Sequence, residues 1–326
     1  MKKLKCLSVL LCLGFGVLAL TGCPNNSNSP SAPVTVIVVE TPTYPPCVMN
    51  GFTCTPSVTP TPSLTPTLTP TLTITPTITP TPANWVITSP VTLVTGQYSY
   101  VSVHVQAGGI LNVGGAVTLN LSGYLAVDAG GTIIGDGNGY PIEQGPGAPT
   151  TQDAAGGSHG GVGGMDSAGA TPGPVYDSST APASMGSGGG AGYGQSLCNG
   201  SGGGGLLDVN ASGGTVTLNG TLSMNGGDVC AVTDYEGYGG GAGGTIYIQA
   251  QTITGSGVLR ANGAAGASYT YYNNGGGGGG GIIVLSTHSS NTFTGTLSVS
   301  GGAAGNYGTG GTGASGSVGI TNTTTY

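Results

Sequence analysis

Gly243-Gly-Thr-Ile-Tyr-Ile-Gln-Ala-Gln-Thr-Ile-Thr-Gly-Ser-Gly-Val-Leu-Arg-Ala-Asn-Gly263 decides the fold class. Its first half alternates apolar and polar side chains, the period of a strand with one buried face. A Thr-Ile-Thr step and a Gly-Ser-Gly turn lead into a shorter run that ends on Asn262 and glycine. That run recurs as Gly123-Tyr-Leu-Ala-Val-Asp128, Gly220-Thr-Leu-Ser-Met-Asn225, Gly257-Val-Leu-Arg-Ala-Asn262 and Gly295-Thr-Leu-Ser-Val-Ser300. Leu222, Leu259 and Leu297 are 37 and 38 residues apart. Self-similarity at a fixed period predicts a solenoid whose units bury their apolar faces against their neighbours. In each copy Leu and the second apolar residue (Val127, Met224, Ala261, Val299) share the inner face. Ala126, Ser223, Arg260 and Ser298 then face solvent. Asp128, Asn225, Asn262 and Ser300 form the next column, and stacking would line them into a polar ladder.

Outward from these copies, residues 84–326 form one block rich in Gly, Thr, Ser, Asn and Val. No amphipathic stripe of helical period runs through three turns. Short β runs recur instead: Trp85-Val-Ile-Thr, Tyr100 to Val105, Val117 to Leu121, Thr245 to Gln249 and Ile282 to Leu285. The predicted class is all-β, a right-handed parallel β-helix or solenoid-like domain. Over 108–135 and 202–305 the repeat resembles the rungs of filamentous-haemagglutinin-type β-helices and of glycine-rich bacterial surface proteins. The runs Gly239 to Gly244 and Gly275 to Gly281 and the insert 136–205 depart from ordinary rungs in their glycine content. These look similar to the polyglycine arms of certain phage adhesins and receptor ectodomains, which implies packed polyglycine II helices. Flexible linkers are the equal alternative.

The N-terminus reads as a secretory leader. Lys2, Lys3 and Lys5 precede the apolar run Leu7 to Leu20, too short for a confident membrane span. Leu20-Thr-Gly-Cys23 resembles the lipobox of bacterial lipoproteins. The resemblance implies cleavage after residue 22, acylation of Cys23, and anchoring by several acyl chains. Pro24 in place of Asp leans, by the same resemblance, towards the outer membrane. Residues 23–83 form a linker on which Thr-Pro recurs from Thr55 to Pro82. Proline removes amide donors and fixes φ, so this tract is an extended, disordered stalk at ~3.1 Å per residue. Such tracts are often O-glycosylated. Val34 to Val39 is a β-prone interruption of the stalk.

Charge narrows the partners. The whole chain carries a net charge of −7, and removing residues 1–22 leaves Arg260 as the sole basic side chain against eleven acidic ones. A phosphate backbone would be repelled, which excludes nucleic acid, and no basic cluster exists to dock on anionic lipid. Of seven cysteines, cleavage leaves Cys23 for lipid and Cys47, Cys54, Cys198 and Cys230 in an oxidising compartment. Four cysteines allow three pairings; Cys47–Cys54 and Cys198–Cys230 are favoured. Their spacing matches no zinc finger or ribbon.

Chemistry is thinly represented. His104, His159 and His288 read as solvated polar residues. Arg260 is the only candidate lyase base, with Asp128, Asp208, Asp228, Asp234 or Glu236 as acidic companions that stacking would have to assemble; a freely charged arginine makes a poor base. A carboxylate pair suited to glycoside hydrolysis stays open. Asp136-Gly-Asn138-Gly-Tyr140-Pro-Ile-Glu143 alternates oxygens as a calcium loop does, yet fails the twelve-residue spacing. No glycine run is followed by Lys-Ser/Thr, as a phosphate cradle requires. Loop tyrosines supply contact area at low entropy cost, with Tyr269, Tyr271 and Tyr272 foremost, and Tyr193, Tyr235, Tyr238 and Tyr307 nearby. Packing over the glycine arms explains them equally well. The sequence therefore implies a lipid-anchored structural or adhesive element of a bacterial cell envelope, without catalytic residues, metal or cofactor, contacting glycan or host matrix. A polysaccharide-binding or polysaccharide-cleaving β-helix, a lyase or hydrolase, is the alternative.

Overall fold

Alternation in the sequence becomes alternation of burial. The strand Ile110–Leu121 buries Leu111, Val113, Val117, Leu119 and Leu121 and turns Asn112, Thr118 and Asn120 outward. The computed structural model describes Leu10–Leu13, Gly16–Ala19, 83–150, 154–192, 202–227, 237–268, 273–306, 316–317 and 319–325. The chain divides into two units, Met1–Pro76 and Thr77–Tyr326. In the first, β1 (Leu10–Leu13) and β2 (Gly16–Ala19) pair antiparallel with Leu10 opposite Ala19. No helix occurs among the described residues.

The second unit holds thirteen strands: β3 (Asn84–Ile87), β4 (Val91–Tyr100), β5 (Ser102–Val105), β6 (Ile110–Leu121), β7 (Leu125–Val127), β8 (Thr132–Ile134), β9 (Leu206–Leu218), β10 (Thr221–Ser223), β11 (Thr245–Gly255), β12 (Val258–Arg260), β13 (Ile282–Phe293), β14 (Thr296–Ser298) and β15 (Ile320–Thr325). Every pairing among them is parallel. Strands that follow each other in sequence do not pair; each pairs with its counterpart about one circuit later. The long strands shift register where they turn a corner, β4 between Val94 and Gly96 and β11 between Ala250 and Thr252. The result is a solenoid-like stack of six three-sided coils. The first side runs 84–87, 102–105, 125–127, 216–218, 252–255 and 290–293. The second runs 91–94, 110–114, 132–134, 221–223, 258–260 and 296–298. The third runs 96–100, 116–121, 206–211, 245–250, 282–287 and 320–325.

The core lies inside this stack. Ile133, Leu222, Leu259 and Leu297 follow one another in register, the first three fully buried. Ile133, Leu222 and Leu259 are each sandwiched between equivalents, so truncation of any of them to Ala would leave a cavity costing about 2–5 kcal/mol. Where β11 ends, Gly255 takes φ +124°, and a Cβ there would run into the Leu218 backbone. Only glycine turns that corner without strain.

Two expectations need correcting. Leu125 does not stack on Leu222; it lies between Val103 and Val216, on the first side. The true counterpart of Gly220–Asn225 is Gly131-Thr-Ile-Ile-Gly-Asp136, so Ile134, not Ala126, shares the outward column with Ser223, Arg260 and Ser298. Ser223 does not face solvent either. It is buried because the Asp136 carboxylate of the preceding coil folds over it and accepts its Oγ–H at 2.8 Å.

Candidate functional site

From the third coil onward, the chain leaves the stack at one corner, between the second and third sides. The excursions span 135–205, 224–244, 261–281 and 299–319. Being glycine-rich, they carry few side chains that could pack, so their cohesion comes from the backbone. Along 275–281 the N–H groups of Gly275, Gly278 and Gly281 donate to the carbonyls of Ala267, Ala264 and Ala261 at 2.7–2.9 Å. Those of Gly276 and Gly279 donate to Ala154 and Gly157, and that of Gly280 to Ser317. The same stretch accepts from Gly302 and Gly305, from Gly240 and Gly243, and from Gly161 and Gly164. Partners thus return every third residue, whereas a strand repeats every second. This one stretch bonds to six other stretches of the excursions.

Close approach explains the composition. A Cβ on Gly278 would strike the Gly241 carbonyl, and one on Gly240 the Ala264 carbonyl. Gly275 to Gly281 lie in a buried stretch, where an unpaired amide would be costly.

The arms bring their far ends together. Gly239 N–H donates to Gly190 O, Gly227 N–H to Gly202 O, Gly237 N–H to Asn273 O, and Asn306 N–H to Ser268 Oγ, all at 2.8–2.9 Å. These residues flank 193–201, 228–236, 269–272 and 307–315. Tyr269, Tyr271, Tyr272, Tyr193, Tyr235 and Tyr307, with Cys198 and Cys230, fall in those stretches and lie outside the described residues, as do Cys23, Cys47 and Cys54. Tyr238 is described and buried, packed with Ala191 and Ala267.

At the corner where the arms depart, a side-chain ladder runs along the stack. Asp136 Oδ1 accepts the Asn225 N–H at 2.7 Å, Asn225 Oδ1 accepts the Asn262 N–H at 2.8 Å, and Asn262 Oδ1 accepts the Ser300 N–H at 2.8 Å. Asp136, not Asp128, is its first member. Its second oxygen takes hydrogen bonds from Ser223 Oγ and Asn225 Nδ2, and Asn138 Nδ2 donates to Val113 O. Asp136 and Asn138 are thus already engaged within the protein.

Two of the three histidines depart from expectation. His159 is fully buried, with Nδ1 2.8 Å from Gly243 O, Nε2 3.5 Å from Asp177 Oδ2, and its ring against Tyr176 at 4.8 Å. It is buried because 154–164 is one of the interior arms. Burial pushes the Asp177 carboxyl up, but hydrogen bonds from His159 and from the N–H groups of Ser178, Ala183 and Ser184 outweigh it and hold it at about 2. Burial likewise pushes the Tyr176 phenol above its ordinary range. Both His159 nitrogens are spent on structural partners, and the cluster pins 176–187 to the arms. His104 is half-buried and pairs with Asp128 across 2.9 Å, a contact the sequence reading missed because those residues lie on successive coils. His288 is exposed.

Arg260 is exposed, and its in-register neighbours are Ser223 and Ser298. Burial raises the Asp208 carboxyl against opposing hydrogen bonds from Gln249 and Thr118, and its buried Oδ1 has no partner among the described residues. Asp228, Asp234 and Glu236 lie outside the described residues. Among the described residues no three His, Cys, Asp or Glu side chains gather as a metal-holding group. No family model, no curated protein and no solved structure matches the chain, so its function has to be read from its own geometry.

Proposed function

We propose that the chain is a surface-displayed, lipid-anchored structural or adhesive protein of a bacterial cell envelope. In this reading Cys23 carries the acyl chains, residues 24–83 hold the domain away from the membrane, and 84–326 is a right-handed parallel β-helix. Its glycine arms pack as polyglycine II helices, and the three-residue return of hydrogen-bond partners along 275–281 supports that geometry. The tips of the arms are the contact surface, through Tyr269, Tyr271 and Tyr272, for glycan or host matrix. One observation carries the reading: the described residues flanking four separate stretches are hydrogen-bonded to one another, so the arms hold those flanks side by side. A scaffold that spends its backbone on fixing such flanks is suited to recognition. The same flanks support the Cys198–Cys230 pairing, since Gly202 and Gly227 are bonded and each cysteine lies a few residues beyond.

The test compares cells displaying the wild type with cells displaying Tyr269→Ser, Tyr271→Ser and Tyr272→Ser together. Labelled palmitate and protease accessibility report anchoring and exposure, and attachment to glycan and matrix arrays reports adhesion. Loss of attachment at equal exposure is expected. Equal attachment removes the tyrosines from the contact surface, and wild type without palmitate removes the anchor.

A further inference from the structure

A second surface stands on the coils, away from the arm tips. On the third side, Ser99, Asn120 and Asn210 occupy the same position of the first three coils, in strict register. Gln249 continues the row on the fourth. Parallel strands repeat at ~4.8 Å, so this is a row of amides and hydroxyls with that spacing along the stack. Tyr100, Ser122 and Ser212 flank it at the next corner, and together they border an open depression of about 370 Å³. Its lining carries no carboxylate, amine or guanidinium. Asp208, two positions earlier on β9, is not part of it.

Each feature restricts the ligand. A charged ligand would find no counter-ion. An apolar ligand would strip water from amides and hydroxyls and return no hydrogen bond. An extended peptide advances ~3.3 Å per residue and falls out of step with the rungs. A pyranose with its linkage oxygen advances by close to one rung and offers hydroxyls at every step. Among the described residues no hydrogen bond engages the Asn120 side chain, while Asn210 accepts from Ser212 Oγ and keeps its own amide hydrogens. Tyr100 is half-buried and stacks on Trp85 with centroids 4.9 Å apart and 26° between planes, which stiffens the aromatic flank of the groove. Rigid aromatic surface beside hydrogen-bonding groups suits the mixed faces of a sugar ring.

The geometry points to a binding site for a neutral oligosaccharide lying along the coil stack, with Asn120 and Asn210 as its hydrogen-bonding residues and Tyr100 as its flank. The site does not depend on the arm tips, and either can fail without the other.

The full acylated chain in detergent micelles is titrated by calorimetry with cellohexaose, maltohexaose and chitohexaose. A hexamer of galacturonate and an Asn/Thr-rich hexapeptide are run beside them. At least one neutral hexamer binds, and Asn120→Ala with Asn210→Ala weakens it by about tenfold or more. Ser122→Arg, at an exposed corner of the groove, blocks it without touching the row and keeps the proposal testable if the double variant misfolds. Failure of all three neutral hexamers, preference for galacturonate or peptide, or undiminished binding in both groove variants overturns the proposal.

Discussion

Asn225 Oδ1 accepts the backbone N–H of Asn262 at 2.8 Å, one coil further along the stack. The same Asn225 donates Nδ2 to the Asp136 carboxylate and the Ser223 hydroxyl, so a single side chain links three successive coils at the corner where the arms leave. Asn225→Ala would strand the Asn262 N–H and take one donor each from Asp136 and Ser223, which stay bonded to each other. A loss of about 1–3 kcal/mol is expected, read as a lowered midpoint of chemical denaturation. An unchanged midpoint would mean water replaces the ladder at no cost.

Leu259 and Arg260 are adjacent and face opposite ways. Leu259→Ala should cost about 2–5 kcal/mol because the Leu222 and Leu297 backbones cannot close on the cavity. Arg260→Ala should stay within about ±0.5 kcal/mol and leave polysaccharide turnover unchanged. A cleavage activity that vanished with Arg260 would instead revive the lyase alternative.

Glycines of the arms and of the coils should respond differently to one methyl group. Gly278→Ala places a Cβ against the Gly241 carbonyl, and overpacking of about 1–3 kcal/mol is expected. Gly213→Ala meets nothing within 4 Å and should be neutral or slightly stabilising. Similar melting temperatures for the two variants would argue that the arms are loose.

Asp177 gives the domain an acid-sensitive latch. Its carboxyl is held at about 2 in the folded protein, below the ~3.9 of an unfolded chain. Its contribution is present above the unfolded value and lost as pH falls from about 4 through about 2. Asp177→Asn should therefore flatten the stability profile over that window and lower the plateau above it. A profile parallel to wild type would show that the hydrogen bonds to the Asp177 carboxylate contribute nothing over that window.

Non-reducing mass mapping should join Cys198 to Cys230. The bridge closes a loop of some thirty residues and would stabilise by ~3–4 kcal/mol in the chain-entropy model. Free thiols at both positions in exported protein would count against it.

The coils were largely legible in the sequence because strand alternation writes itself into side chains, and Leu222, Leu259 and Leu297 do stack. The first copy was misaligned because Leu125 matched the pattern by residue type while the true counterpart carries Ile133. Two coils pass between 84 and 121 with no excursion, so no fixed period marks them. The arms were illegible beyond their composition, since backbone hydrogen bonds leave no side-chain signature. His159 and Ser223 looked solvated for another reason, that their neighbours are distant in sequence. What covers them, Gly243 and Tyr176 in one case and Asp136 in the other, comes from elsewhere in the chain.

The return of partners every third residue sets a length rule for the gene. An insertion or deletion of three residues in one half of an arm, matched in the half that runs back, advances the array by one full repeat and leaves every remaining donor opposite an acceptor. A change of one or two residues turns each later N–H towards the wrong neighbour. Tip sequences can therefore diversify, and arms can grow or shrink in steps of one repeat, while the coils that carry them keep their register.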